Sequence, residues 1–327
     1  MSTPLPARMP SRERGVALLT AILLVALGTI IAASLGYKTV LTARRGAGVF
    51  AFDDSLLAAE STEALAGYAL TESREQSPQF DAPGQLWSTP YGPVQAAPGV
   101  TVAASLQDLQ GRFNLNNLVS AQGTIVPNQL AAFQNLLQIV GLDPKWAALM
   151  ADWIDADSVP YPEGGAEDPT YLSQTPPYRT ANRQITSASE LLALPGFGAA
   201  RYETLAPYVT ALPRGTAVNL CTASGPVLDA LGPPGLRQYS ELSATQLGQQ
   251  RASGCFPTQQ DYQAAFNGQA GAIGTVAMTP GDVGEQSSYF LLTSIVDVGS
   301  DEFYLYSLLA RQGTGQPRVI QRSFTPD

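Results

Sequence analysis

Histidine is absent from all 327 residues. That removes the commonest general base and the commonest transition-metal ligand, so Ser-His-Asp and Cys-His enzymes and His-ligated zinc sites are excluded. Cysteine is scarce: only Cys221 and Cys255 occur, outside any C-x-x-C spacing. In an oxidising compartment they close one disulfide over a loop of about 34 residues, stabilising by roughly 3–4 kcal/mol in the chain-entropy picture; otherwise they are two buried thiols. Charge is sparse at 14%, and Lys plus Arg number 18 against 27 acidic residues, for a net charge of −9 and a pI near 4.6. Such a chain makes a poor general nucleic-acid binder, because that binding rests on cations that displace phosphate counterions. What it has instead is apolar content of 45%, enough for a sizeable core and for two domains beyond any anchor.

Charge is missing altogether from Val16 to Leu35, VALLTAILLVALGTIIAASL. As a helix, about 20 such residues just cross a bilayer core. A basic leader with Arg8, Arg12 and Arg14 precedes the run and ends in Gly15. A secretory signal places its cleavage site behind the apolar core, but here the cleavage-like junction, Gly15-Val16, stands in front of it. Lys38, Arg44 and Arg45 follow the run, so the basic count is a tie and gives no orientation. Beyond the run, Val40, Leu41, Val49, Phe50, Leu56, Leu57, Leu65, Tyr68 and Ala69 recur at helical spacing, which extends the helix to just before Ser77-Pro78, with Gly46 and Gly48 as places to bend.

A Pro/Gly/Ser/Gln-rich connection, 77–99, shows no period. Val100 to Leu109 alternates as a strand, closed by GRFNLNNL from Gly111. Helical patterns then dominate: Pro127–Val140, a helix started by Asp143-Pro144, a capping box at Ser187–Glu190, a turn at Leu194-Pro-Gly-Phe-Gly198 leading into Ala199–Val209, and short helices at Pro226–Leu231, Ser243–Arg251 and Thr258–Phe266. Strand patterns return at Ser288–Val298, Glu302–Arg311 and Arg318–Phe324, with turns at Ser300-Asp301 and Gly313–Gln316. The expected fold is α+β: a long N-terminal helix packed on a small antiparallel sheet, with a large all-helical domain inserted between strands. The boundaries are 1–15 for the leader, 16–76 for the helix, 77–117 with 281–327 for the sheet-bearing domain, and 118–280 for the insertion.

The densest chemistry is Asp152-Trp-Ile-Asp155-Ala-Asp157 followed by Glu163-Gly-Gly-Ala-Glu167-Asp168. Oxygen-rich loops of this kind suit a hard cation, and without one mutual repulsion raises carboxylate pKa values. The spacing is not that of an EF-hand, since neither the sixth-position Gly nor the twelfth-position Glu is there. A solvated acidic loop is the plainer alternative. A two-carboxylate glycosidase would need an aromatic platform across a cleft, and Trp153 with a few tyrosines does not supply one. The Leu191–Gly198 turn, with Val218–Ala223 downstream, is similar to helix-hairpin-helix units that present N–H groups to DNA phosphates. Around it Arg201 is nearly alone beside Glu190 and Glu203, so a packing role outweighs DNA capture.

The Gly15-Val16 junction ahead of an apolar helix resembles the class III leader of type IV pilins and type II secretion pseudopilins. GRFNLNNL, DWIDAD, GAEDPTY, YRTAN (Tyr178–Asn182) and the hairpin resemble the K-type minor pseudopilin family, over nearly the whole mature chain. The resemblance implies cleavage between Gly15 and Val16 by a prepilin peptidase, with Met9 the start of a leader of ordinary length. It also implies a single-pass anchor in the bacterial inner membrane with the bulk periplasmic. Thr20 stands at mature position five, where most pseudopilins carry Glu, and its loss is typical of the K type. Family calcium sites imply one or two calcium ions at Asp155, Asp157, Glu167 and Asp168, with Asp152 and Asn182 weaker. A non-enzymatic tip cap is implied, assembled with I- and J-type minor pseudopilins on the major pseudopilin fibre, facing secreted substrate and the outer-membrane secretin, with no nucleic acid partner. The alternative is a periplasmic helix-hairpin-helix DNA-binding protein of a pilus-based uptake system.

Overall fold

The computed structural model describes residues 12–235, 237–267, 281–313 and 315–326, with only the backbone of 12–15, 266 and 267. The leader up to residue 11, including Met9, and the Gly-rich connection at 268–280 therefore lie outside the described residues. Two compact units are present, Met1–Leu57 and Ala58–Asp327. In chain order the elements are α1 (Arg12–Gln76), β1 (Tyr91–Ala97), β2 (Val100–Asp108), β3 (Phe113–Asn114), α2 (Pro127–Ile139), α3 (Trp146–Ile154), α4 (Asp168–Leu172), α5 (Ala199–Leu205), β4 (Val209–Thr210), β5 (Val218–Asn219), α6 (Gly225–Ala230), α7 (Ala244–Arg251), α8 (Gln259–Asn267), β6 (Val283–Gly284), β7 (Tyr289–Val298), β8 (Asp301–Ala310) and β9 (Arg318–Ser323).

In the first unit, α1 runs unbroken through Gly46 and Gly48. Its apolar part is fully exposed and has the length and hydropathy of a membrane span. Thr20 lies on it with its hydroxyl donating to the Ala17 carbonyl at 3.0 Å, so the residue at mature position five satisfies its own polar group inside the helix.

In the second unit, five antiparallel strands are ordered β1-β2-β7-β8-β9. Strict alternation on β7 buries Phe290, Leu292, Ser294 and Val296. The end of α1 fills that face. Ala66 packs with Leu292 and Leu309, Leu70 packs with Trp87 and Phe290, and Thr62 and Ser294 share a hydroxyl bond of 2.5 Å. The sheet has one strand more than the sequence indicates. β1 carries Gly92 and Pro93 and is exposed throughout, so it has no apolar alternation to read. The β7–β8 turn is Gly299-Ser300, one residue earlier than expected, with Gly299 at φ +65° and Asp301 already paired to Val298.

Between β2 and β7 the chain builds the largest apolar core of the described residues, with Phe113, Leu115, Phe133, Leu136, Met150, Ile154 and Phe197 fully or almost fully buried. This insertion is predominantly helical but also holds two short parallel ladders, β3 with β4 and β5 with β6. GRFNLNNL belongs to this core rather than to the end of the sheet. Its three asparagines strap distant loops: Asn116 exchanges bonds with Ile185 and donates to the Leu212 carbonyl, Asn114 accepts from Leu212 N–H, and Asn117 accepts from Gly215 N–H and donates to Thr216. Gly111 is required because a Cβ there would run into the Thr222 carbonyl. The expected capping box at Ser187 is a 3-10 turn in which Glu190 accepts from Thr186 N–H and Ser187 from Ser189 N–H. A full box does form at Ser243 and Gln246. Cys221 and Cys255 are bridged.

Sheet and insertion are joined by buried polar groups. Asp108, at the end of β2, accepts from Asn219 (3.0 Å), Thr222 (2.5 Å), Ser287 (2.6 Å) and Gln110 N–H (2.9 Å). Burial still pushes its carboxyl above the usual range. Asn219 also donates to the Asp81 carbonyl, while Asp81 pairs with buried Arg311 at 2.5 Å.

Candidate metal centre

The C-terminal end of α3 and the loop that follows it carry the acidic constellation. Asp155 terminates the helix, its N–H still donating to the Ala151 carbonyl at 2.9 Å. Asp157 then accepts the N–H of Val159 at 2.7 Å, a local turn that reverses the chain. Asp152, one turn back, is fully buried and receives the N–H groups of Tyr161 (3.0 Å) and Ala166, so it holds the returning limb of the loop. That limb passes so close that a Cβ on Gly165 would collide with the Asp152 carboxylate and with Tyr161 N. The return delivers Glu167, the residue before α4, back beside α3.

One carboxylate oxygen from each of Asp155, Asp157 and Glu167 lies within 4.8 Å of the other two. Asp155 and Glu167 are buried and Asp157 is exposed. Oxygens on opposite sides of a calcium ion stand about 5 Å apart, so the separation suits a single hard cation. Four buried oxygens in this neighbourhood have no hydrogen-bond partner: Asp152 Oδ1, Asp155 Oδ1, Glu167 Oε1 and Asn182 Oδ1. Unpaired buried acceptors cost free energy, and a cation would satisfy them. Burial, reinforced by the charge of Asp157, raises Asp152 to about 6. Burial with the charges of Asp157, Asp152 and Glu167 raises Asp155 to about 7. Burial with Asp152 foremost among the charges raises Glu167 to about 7.

Asp168 does not join this group. The first turn of α4 sends its carboxylate to Arg179 (2.7 Å) and to the backbone and hydroxyl of Thr180 (3.1 and 3.0 Å). Asn182 does approach the loop. Its backbone sits at φ +45°, its N–H donates to the Trp153 carbonyl and its side-chain amide donates to the Asp157 carbonyl at 2.9 Å. Two contributors escape a sequence reading. Tyr171 has a buried hydroxyl without a partner, and burial together with the charges of Tyr178, Asp152 and Glu167 raises its pKa. Thr180 donates to Glu167 Oε2 at 3.3 Å. The glycine pair 164–165 was the one available signal for the loop's tight return.

Comparison with known proteins decides the family. The chain is 32% identical over 319 residues to the type II secretion system protein K of Pseudomonas aeruginosa, covering 95% of this chain and 92% of that one. The chain belongs to the type II secretion system protein K family. A relative of the same name from Klebsiella pneumoniae is 32% identical over 332 residues, covering 97% and 98%. A family model described as type II secretion system (T2SS), protein K matches residues 111–214, which contain GRFNLNNL, the acidic loop and the hairpin. In fold the chain is similar to the crystal structure of the GspK-GspI-GspJ complex from the type 2 secretion system of enterotoxigenic Escherichia coli, at 24% identity and a TM-score of 0.70, covering 86% of this chain and 100% of that one.

In this K-family chain the glycine hairpin packs rather than presents. Gly196 and Gly198 take φ values of +80° and +75°. The guanidinium of Arg201 donates back to the Gly196 and Phe197 carbonyls at 3.0 and 2.7 Å and stacks over Trp146. The Arg201 cation is thus committed to closing the turn.

Proposed function

We propose that this protein is the minor pseudopilin at the tip of a type II secretion pseudopilus, with a structural rather than catalytic role. In this reading α1 anchors it in the bacterial inner membrane after a prepilin peptidase cuts between Gly15 and Val16. The body is periplasmic, I- and J-type minor pseudopilins are its neighbours, and the fibre of major pseudopilin lies below. The solved structure that the fold resembles is a complex of GspK with GspI and GspJ, which supports the choice of partners. The observation that carries the tip position is the large inserted body between β2 and β7 in a chain with Thr20 at mature position five. A fibre subunit buries its charged N-terminus among neighbours, and an unpaired buried charge is expensive. Glu at that position would supply a partner for another subunit, whereas Thr20 uses its hydroxyl on its own helix. The domain division at 117/118 and 280/281 belongs to the same reading, and GRFNLN, just before the first boundary, packs Phe113 and Leu115 into the inserted body's core.

Calcium belongs to this proposal too. Asp155, Asp157 and Glu167 would hold the ion, Asn182 stands nearby, and Asp152 would hold the loop. The ion would supply charge neutralisation and no reaction step. What supports it is the set of orphaned buried oxygens. The test is co-expression of the full chain with the I- and J-type subunits of the same system, followed by size-exclusion chromatography in detergent. One ternary peak is expected, and calcium should raise its melting temperature saturably. Asp157→Ala with Glu167→Ala should abolish the thermal shift. Failure to co-elute would sink the tip reading, whereas co-elution without a calcium shift would remove only the metal.

A further inference from the structure

No acidic residue occurs between Val16 and Phe52, while Lys38, Arg44 and Arg45 all fall there. The chain is strongly acidic overall, so this local excess of positive charge runs against its composition. All three side chains are exposed on α1, and no ion pair among the described residues engages them. Tyr37, which adjoins Lys38, is 71% exposed.

Their height along the helix is fixed by its rise. If Leu35 marks the edge of the hydrocarbon, Lys38 stands about 4.5 Å beyond it and Arg45 about 15 Å beyond. The headgroup layer on each side is roughly 5–8 Å thick. Lys38 and Tyr37 therefore sit inside that layer, where amphipathic aromatics and long cationic side chains are favoured. Arg44 and Arg45 stand just outside it, within about one Debye length of the surface and within reach of their own long side chains. At about 100° per residue, Lys38 and Arg45 share one face to within roughly 20°, and Arg44 lies about 120° away. The cations thus form a partial collar around the helix rather than one binding stripe for a single protein groove.

The geometry points to a binding collar for anionic phospholipid headgroups on the far side of the span, made by Lys38, Arg44 and Arg45 with Tyr37 at the interface. This inference rests on the reading of α1 as a membrane span. Anionic lipid adds roughly a fivefold preference per neighbouring cation at ordinary ionic strength.

The test is electron spin resonance of the full chain in phosphatidylcholine vesicles, using spin-labelled phosphatidylglycerol or spin-labelled phosphatidylcholine as probe. A motionally restricted lipid component should appear with both probes, since any spanning helix immobilises neighbouring lipid. The phosphatidylglycerol probe should be enriched in it several-fold, and salt should weaken the enrichment. Lys38→Gln, Arg44→Gln and Arg45→Gln together should reduce the preference by at least half. Arg44→Lys with Arg45→Lys should keep it, because charge and not guanidinium geometry is at work. All these positions are exposed, and Gln is a good helix former, so the variants should fold. Equal preference in wild type and triple Gln variant would overturn the proposal. So would a triple variant that keeps its lipid preference but loses association with acidic partner subunits, which would assign the collar to protein. Absence of any restricted component would instead refute the membrane span itself.

Discussion

Asp155 and Glu167 have folded pKa values near 7, well above the ordinary carboxylate range that they regain on unfolding. Without a cation, the folded state keeps protons that the unfolded chain has already released. The associated stability is fully present below about pH 4 and is lost as pH rises to about 7. Calcium reverses the sign, because it binds the ionised form and displaces those protons. In chelator the melting temperature should therefore fall from pH 5 to pH 8, whereas in millimolar calcium the fall should shrink or invert. Asp108 is held up by burial as well, but calcium does not touch it, so the difference between the two curves isolates the loop. Scanning fluorimetry at the two pH values checks this, and a calcium shift of equal size at both would count against the site. The density of carboxylates from 152 to 168 made the loop legible in the sequence. What could not be read was which of two adjacent acids, Glu167 and Asp168, faces inward. That choice is made by the first turn of α4, which commits Asp168 to Arg179 and Thr180. Asp152 is likewise an interior tether for Tyr161 and Ala166, a role invisible until the loop's return is seen.

Among the elements, those with a strong period could be read directly. The alternation of β7, the helical face of α2 and the end of α1 before Ser77 emerge as expected because each buries one face against a partner. β1 escaped because a fully exposed edge strand has no buried face to imprint on its sequence. The packing of GRFNLNNL with the insertion was hidden because Asn114, Asn116 and Asn117 look like a polar strand end, when they are interior straps. Arg311, the residue after β8, ties three elements together. It donates to the Leu70 carbonyl of α1 (3.1 Å), to the Ser287 carbonyl (2.6 Å) and to Asp81 (2.5 Å), and it lies over Phe290. Removing one partner of a buried pair strands the other charge, at a cost of about 3–5 kcal/mol. Arg311→Ala should destabilise the body by that amount, reduced somewhat because Arg74 stands 3.8 Å from Asp81. Arg311→Ala with Asp81→Ala should cost less than the sum of the single variants. Urea unfolding of the four members of the cycle measures the coupling, and strict additivity would show that the pair is not a unit.

At the scale of the whole body, core size and polar connection pull in different directions. The insertion owns the largest apolar core of the described residues, while the sheet buries a smaller set that includes Val102, Phe290, Leu292, Val296, Leu305 and Leu309. The smaller core is the weaker one, which would favour two melting steps with the sheet lost first. The junction opposes this. Asp108 at the end of β2 is buried and draws two of its four donors, Asn219 and Thr222, from the insertion. Asn219 in turn needs the Asp81 carbonyl and the Ser287 hydroxyl on the sheet side. If either half unfolded alone, the other would be left with a buried carboxylate or amide short of partners, at about 1–3 kcal/mol for each lost bond to a charged group. Several such losses together exceed what independent melting would gain, so residues 58–327 should unfold in one calorimetric transition with equal calorimetric and van't Hoff enthalpies. Chelation should move that transition down without splitting it, because the acidic loop sits in the same cooperative unit as the sheet. Asn219→Ala is the sharper probe, since it removes the amide that bridges both halves while leaving each apolar core intact. It should broaden or divide the transition. A wild-type body that already melts in two steps would mean that the junction does not couple its halves.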